Sequence, residues 1–124
     1  RHARTAEGRV IKEAGVQRMI RAYLAARGIE SIHIPNGAVL AGDAKARGQQ
    51  MNALKGQGLK LGFPDLLLFA PKGRIGFIEV KSEGGRVSKE QKACHEWLIV
   101  LGHKVSVCRS IEDVAETLSG WGWA

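Results

Sequence analysis

The sequence has few of the cysteines and histidines that cross-link small secreted domains or bind structural zinc. Its 124 residues include only two cysteines, Cys94 and Cys108. One falls in a helical pattern and the other at a strand end, so we expect reduced, packed thiols rather than a disulfide framework. His33, His95 and His103 are scattered, with no Cys/His group at zinc spacing. These shortages argue against a disulfide-rich or zinc-binding domain and favour an intracellular protein.

Long apolar runs and acidic residues are also scarce. No stretch approaches the length of a membrane span, and the opening "RHARTAEGRV" does not have the pattern of a signal peptide, so we expect no membrane association. The chain has only 12 acidic residues but 19 lysines and arginines, which gives a formal net charge of +7. Such an excess favours a polyanionic partner, usually nucleic acid, although a solubility charge or an anionic membrane surface would also account for it.

The length fits one domain spanning residues 1–124. In the helix over 88–101 we expect the core-facing residues to be Ala93, Cys94, Trp97, Leu98 and Leu101. Side-chain periodicity and turn signals predict a mixed sheet with helices on both of its faces, an α/β fold. The predicted helices cover 10–27, 88–101 and a segment from Ser110, and the strands cover 31–34, 65–69, 75–81 and 104–108.

Between the first two strands lies a long segment rich in glycine and basic residues. Residues 37–62 have only weak helical character, around 49–54, and contain a single acid, Asp43. So long a connection in a small domain is usually functional or mobile. We interpret it as a substrate-facing loop that contacts phosphates, with a disordered insertion as the alternative. Its basic residues are Lys45, Arg47, Lys55 and Lys60.

Charged residues stand at the ends of two apolar strands. Asp65 opens the run "DLLLF", and Glu79 and Lys81 close the run "IGFIEVK" on one face. A hairpin turn joins the strands, so antiparallel pairing brings Asp65 towards Glu79 and Lys81. Glu13 falls within the apolar stripe of the first helix, one turn before Gln17, and a carboxylate buried there needs compensation.

Crowded carboxylates repel one another unless a cation lies between them, and oxygen ligands suit Mg²⁺ or Mn²⁺. With Lys81 holding the attacking hydroxide or a phosphate oxygen, the set suits phosphodiester hydrolysis.

Each of these motifs also has an ordinary structural interpretation. Taken singly, Pro-Asp is a common turn pair and Glu-x-Lys a common solvated strand end. "SKEQ" is a capping box in which Gln91 bonds back to Ser88. Alternatively, Gln91 and Lys89 receive a DNA phosphate at the helix N-terminus.

In order along nearly the whole chain, the sequence resembles the VRR-NUC domain, a branch of the PD-(D/E)XK nuclease superfamily. The resemblance rests on Glu13 with Gln17 and on the motifs "IPNG", "GFPDLLL", "FIEVK", "RVSKEQ" and "LGHKVSVCRSIEDV". It implies an αβββαβα core and a Mg²⁺-dependent DNA nuclease, with Mn²⁺ able to substitute. It departs from the family after "NG", where Ala38, Val39 and Leu40 replace a frequent basic residue.

The resemblance also implies roles for single residues. Asp65, Glu79 and the Val80 carbonyl would hold metal, Glu13 would complete or support that shell, and Lys81 would assist the attacking water. Gln17 and Gln91 would support the site. A non-cleaving DNA-binding module and a nuclease subunit dependent on a helicase or other partner remain as alternatives. The DNA contacts expected are Asn36, Lys45, Arg47, Lys55, Lys60, Ser88 and Lys89.

Two tryptophans stand near the end of the sequence, where polar residues are more usual. Trp121 and Trp123 should both be covered, either by this domain's own core or by a twofold interface. The family resemblance extends to small phage and bacterial resolvases that act as dimers on four-way junctions. It therefore implies a homodimer that prefers branched DNA, inside a bacterial or phage-infected cell.

Overall fold

The computed structural model describes residues 12–35 and 42–124. Within these ranges the elements follow the order α-β-α-β-β-α-β-α along the chain. The predicted strands are all present, with bounds that differ by at most one residue. The elements are α1 (Glu13–Ala26), β1 (Glu30–His33), α2 (Ala44–Gly56), β2 (Leu66–Ala70), β3 (Arg74–Val80), α3 (Lys89–Val100), β4 (Lys104–Cys108) and α4 (Ile111–Trp121).

The four strands form one mixed sheet in the order β1-β2-β3-β4. The first two pairings are antiparallel and the third, β3 with β4, is parallel, with α3 as the crossover between them. In the β2–β3 hairpin Leu66 lies opposite Ile78, so one step further the register places Asp65 opposite Glu79. The predicted convergence of these two carboxylates is therefore confirmed.

Helices cover both faces of the sheet, as the apolar pattern predicted. On one face α1 and α4 bury their apolar stripes against Leu66, Leu68 and Ile78. On the other face α3 packs Cys94 and Leu98 against Phe77. Both cysteines are buried and free, in agreement with the expectation of packed thiols. None of the helices in the described ranges has the length and apolarity needed to cross a bilayer.

The prediction of a loop over 37–62 is wrong for half of that segment. Residues 44–56 form helix α2, capped by the Asp43 side chain, which accepts a 2.8 Å hydrogen bond from the Ala46 N–H. The helix has no buried residue, so no amphipathic stripe marked it in the sequence. Local propensity and the cap define it instead. Residues 36–41 lie outside the described residues.

Two corrections concern α1 and α3. The structure begins α1 at Glu13, whereas the sequence predicted a start at Val10, which lies outside the described residues. In α3 the predicted core residues Ala93, Trp97 and Leu101 are exposed, Trp97 by 44%. The buried residues of α3 are Cys94, His95 and Leu98, so a single narrow line of the helix packs against the sheet and the predicted wider stripe does not.

The C-terminal tryptophans pack against their own domain. Trp121 and Trp123 form an edge-to-face pair, 5.0 Å between ring centroids, and lie on the core under α1 and α4. Gly76 makes room for them, since a Cβ at that position would come within 2.6 Å of the Trp121 ring. Of the two accounts left open by the sequence, the intramolecular one is confirmed: both rings are partly buried against this domain's own core.

Candidate active site

Asp65 is held in place by backbone on both sides. Its carbonyl accepts a 2.7 Å hydrogen bond from the Ile34 N–H, which extends the β1–β2 pairing by one step. Its side-chain Oδ2 accepts a 2.8 Å bond from the Val80 N–H at the end of β3. The carboxylate therefore replaces the next rung of the sheet ladder, and this explains why an acidic residue stands before an apolar strand.

Glu79 is a buried carboxylate, only 1% exposed, and both of its oxygens meet side chains of α3. Gln91 Nε2 donates to Oε2 at 3.3 Å, and His95 Nε2 lies 3.3 Å from Oε1. Glu79 points to the α3 face of the sheet because it alternates in phase with Phe77. Gln91 and His95, one turn apart on α3, thus both contact Glu79.

The two carboxyl groups bind protons more tightly than ordinary acids do. Burial raises the pKa of Asp65 to about 7, and the hydrogen bond to Glu79 and the charge of Glu79 act in the same direction. Burial likewise raises the pKa of Glu79, against the opposing influence of Asp65 and Lys81. The pair therefore holds protons to a higher pH than ordinary carboxyl groups do, and a bound cation could offset the repulsion between them.

A cavity of about 380 Å³ opens over this pair. Glu13 lines it as the first residue of α1, exposed to solvent, so the prediction that Glu13 is buried in the apolar stripe is wrong. The helix begins at this residue, and the side chain projects over the sheet end where no layer covers it. Partial burial and the charge of Asp65 raise its pKa. The full lining is Glu13, His33, Pro35, Asp65, Glu79, Lys81 and Gln91.

The two predicted supporting glutamines both contact residues of this cavity. Gln17 Nε2 lies 3.1 Å from His33 Nδ1 and ties α1 to the end of β1. Gln91 completes the predicted capping box: its Oε1 accepts from the Ser88 N–H at 2.8 Å, while Ser88 Oγ accepts from the Gln91 N–H. Because Oε1 is bound to the cap, the amide Nε2 is directed at Glu79. One side chain thus serves both the helix and the site.

Comparison with known proteins agrees with this geometry. The family model of the VRR-NUC domain matches residues 12–112. The chain belongs to the VRR-NUC family. A nuclease-type function with DNA as the class of substrate follows from that membership. No curated protein matches the sequence significantly.

Two solved structures share the fold of this VRR-NUC domain. One, described as a "VRR_NUC domain", is 24% identical, covers 88% of this chain and 96% of its own, and superposes with a TM-score of 0.63. Another, a "VRR_NUC domain protein", is 20% identical, covers 90% of this chain and 88% of its own, also with a TM-score of 0.63. At these identities the likeness concerns the fold, which is the predicted mixed α/β core.

The predicted DNA contacts of this VRR-NUC domain do not all lie together. Three basic residues sit exposed on α2, while Lys60 stacks its ammonium 4.4 Å over the Trp97 ring on α3. Ser88 caps α3 and Lys89 is its exposed first residue. Asn36 lies outside the described residues. The α2 residues are Lys45, Arg47 and Lys55.

A chain of depressions leads away from the active-site cavity along α3. The cavity shares Gln91 with a neighbouring depression, which in turn shares Leu61 and Glu90 with a third. Gly62 allows the close approach of this wall to α3, because a Cβ there would come within 2.4 Å of the Glu90 carbonyl oxygen. Lys55 and Lys60 line the far depression. These three neighbouring depressions, here together called the trough, follow one another from the Glu79 cavity to basic side chains.

Sequence reasoning missed two histidines of the site, His33 and His95. Both were set aside because they do not stand at metal-ligand spacing along the chain. His95 is buried, and desolvation together with the charge of Lys81 lowers its pKa. A usable signal was present, since His95 follows Gln91 by four residues and the two must share a helix face.

Proposed function

We propose that this VRR-NUC domain is a divalent-metal-dependent DNA endonuclease that hydrolyses phosphodiester bonds in the Glu79 cavity. The observation that carries the proposal is the pairing of Asp65 with Glu79 across adjacent strands, both drawn out of water and both lining one cavity with Lys81. Holding two carboxylates this close is unfavourable for a metal-free fold, so a purely structural role does not explain it.

The donor set fits a hard cation with few protein ligands. Within the described residues no group of three His, Cys, Asp or Glu side chains could hold an ion, which leaves two carboxylates, Asp65 and Glu79, and backbone oxygen. The Val80 N–H points towards Asp65. In an extended strand the C=O of a residue points to the same side as its N–H, so we infer that the Val80 carbonyl is also directed towards Asp65. Mg²⁺ keeps several waters and binds through one or two carboxylates, and Mn²⁺ accepts similar ligands.

The remaining residues act on the substrate or on the carboxylates. Lys81 is half-buried, and its positive charge acts against the raised pKa of Asp65, Glu79 and Glu13. We propose that it holds the attacking water or a phosphate oxygen. Glu13 stands across the cavity and supports the metal by its charge. When bound, the divalent ion would activate water and neutralise charge on the phosphate.

The DNA strand is proposed to run from the cavity along α3 and past α2. Ser88 and Lys89 stand at the helix N-terminus beside the trough, where backbone N–H groups favour a phosphate. Lys55 and Lys60 flank its far end. These residues would contact phosphates and not bases, so they would give no sequence specificity, as suits an enzyme selective for DNA structure. Asn36 remains a proposed contact from the sequence alone.

Branched DNA, such as a four-way junction, is the proposed substrate, and a homodimer is the proposed assembly. A symmetric junction needs two cuts, and one small domain offers one such cavity. Large apolar side chains on the C-terminal half of α3 favour a second copy as the partner, since Val100 is 78% exposed beside Leu101. This surface replaces the tryptophan pair as the proposed twofold contact.

Cleavage of a panel of linear, flapped, nicked and four-way DNA, in Mg²⁺ and in EDTA, tests the proposal. We expect Mg²⁺-dependent cutting that is fastest on branched substrates. Binding without cutting in every metal would favour the non-cleaving module. Cutting that requires an added helicase or other protein would favour the partner-dependent subunit.

A further inference from the structure

Glu79 is clamped from one side by two residues of α3. Gln91 Nε2 and His95 Nε2 each lie 3.3 Å from a different oxygen of the same carboxylate. His95 is only 8% exposed and Glu79 1%, so the contact between these two side chains is shielded from bulk water. When Glu79 is ionised it only accepts hydrogen bonds, so in that state the contact requires a proton on His95 Nε2.

We propose that His95 is a positioning residue that fixes Glu79 in the orientation a divalent metal requires. A carboxylate has about four lone-pair sites, so two bonds to α3 leave the others facing Asp65 and the cavity. Without His95 the side chain of Glu79 loses one of its two contacts with α3 and is less restricted about its last torsion. This inference rests on the proposed function, because it assumes that Glu79 binds metal.

Placement on a helix makes the clamp rigid. Gln91 and His95 are one turn apart, and the capping box immobilises Gln91 through its other amide atom. Cys94 and Leu98, on either side of His95 in the sequence pattern, are buried against the sheet and fix the rotation of the helix. Residues that orient metal ligands in this way typically contribute 10–100-fold to metal affinity or activity.

A histidine this deeply buried could instead serve only to fill the core, and paired substitutions separate the two roles. In His95→Gln the side-chain amide nitrogen can occupy the place of Nε2, whereas in His95→Asn it reaches only the place of Nδ1. Both variants are polar, and because Asn removes more volume than Gln, thermal unfolding in EDTA is needed to report the packing cost of each. Leu98→Ala is the matched control, a buried α3 residue that packs near Phe77 and is not a partner of Glu79.

Calorimetric titration with Mn²⁺, without DNA, gives a readout independent of activity, and thermal unfolding in EDTA reports packing. We expect His95→Asn to weaken Mn²⁺ binding by about 10–100-fold, His95→Gln to recover most of that loss, and Leu98→Ala to lower Tm with the parental Mn²⁺ Kd. Parental Mn²⁺ binding by His95→Asn, where Glu79→Gln abolishes it, would overturn this inference alone. Equal Mn²⁺ binding by the parent and Glu79→Gln would overturn the proposed function as well.

Discussion

Among single residues, Asp65 shows most clearly how the fold sacrifices some stability to hold two acids together. Its carboxylate substitutes for a rung of the sheet by accepting from the Val80 N–H, which is a stabilising contact. The same placement puts it opposite Glu79 and away from water, which raises its pKa to about 7. Asp65 thus keeps a proton in the metal-free protein that it would lose in the unfolded chain.

Stability of the metal-free protein should therefore depend on pH through Asp65. The folded pKa is raised, so this residue's contribution to the free energy of unfolding is fully present below the ordinary Asp pKa. It is lost as pH rises from there through about 7. Asp65→Asn cannot ionise, so urea unfolding in EDTA should show its stability relative to the parent improving as pH rises across this window. Parallel pH profiles for the two proteins would contradict the account.

Glu13 offers a second prediction, because it reaches the cavity from a different layer. Glu13→Gln removes a negative charge that raises the pKa of Glu79 and that we propose attracts the metal. Cleavage measured across a Mg²⁺ titration should need a higher Mg²⁺ concentration for half-maximal rate, with less effect at saturation. A titration curve identical to that of the parent would make Glu13 an ordinary solvated residue of the first turn.

At the scale of elements, the strands and their register were predictable because alternation and the hairpin signals agree. Helix α2 was not, since it buries no residue and so leaves no periodic trace. His95 shows a further limit. Its four-residue spacing from Gln91 places both on one face, but only the packing of α3 on the sheet reveals that this face meets Glu79. Trp97 fits the apolar pattern of α3 and yet stays exposed.

The exposed helix α2 should bind DNA without supporting the core. Replacing Lys45, Arg47 and Lys55 by alanine keeps helix propensity, so the fold and Tm should change little. DNA affinity should fall, and the slope of log K against log salt should become shallower by about 0.9 for each phosphate that is no longer neutralised. The control is Lys104→Ala, at the opposite end of the sheet. An unchanged slope in the triple variant would remove α2 from the DNA surface.

For the whole molecule, two ends of the sheet have different chemistry. Acidic residues, Lys81 and the helix N-termini gather at one end, whereas the apolar side chains Val100 and Leu101 stand exposed where α3 finishes. We propose that a second copy binds at this surface, which lies away from the cavity and would leave both cavities uncovered. The exposed side chains of Val100 and Leu101 are therefore the structural basis of the homodimer proposal.

A single charged substitution at the exposed apolar surface tests whether the protein forms a dimer. At micromolar concentration, analytical ultracentrifugation should find the parent as a dimer and Val100→Glu as a monomer, because a buried unpaired carboxylate opposes association. Since Val100 is exposed, the variant should keep its Tm and its Mn²⁺ binding. It should lose the paired cutting of an immobile four-way junction. A parent that sediments as a monomer would remove the dimer and leave the nuclease chemistry unaffected.

The most direct test of the central claim is Mg²⁺-dependent DNA cleavage by the parent and by Asp65→Asn, purified in parallel. Binding of both to the same DNA in Ca²⁺ is the control for substrate affinity. The account predicts that the parent cuts in Mg²⁺ and is inactive in EDTA, while Asp65→Asn binds DNA equally well and does not cut, because it lacks one of the two carboxylates proposed to bind the metal. Equal cleavage by the two proteins would contradict it.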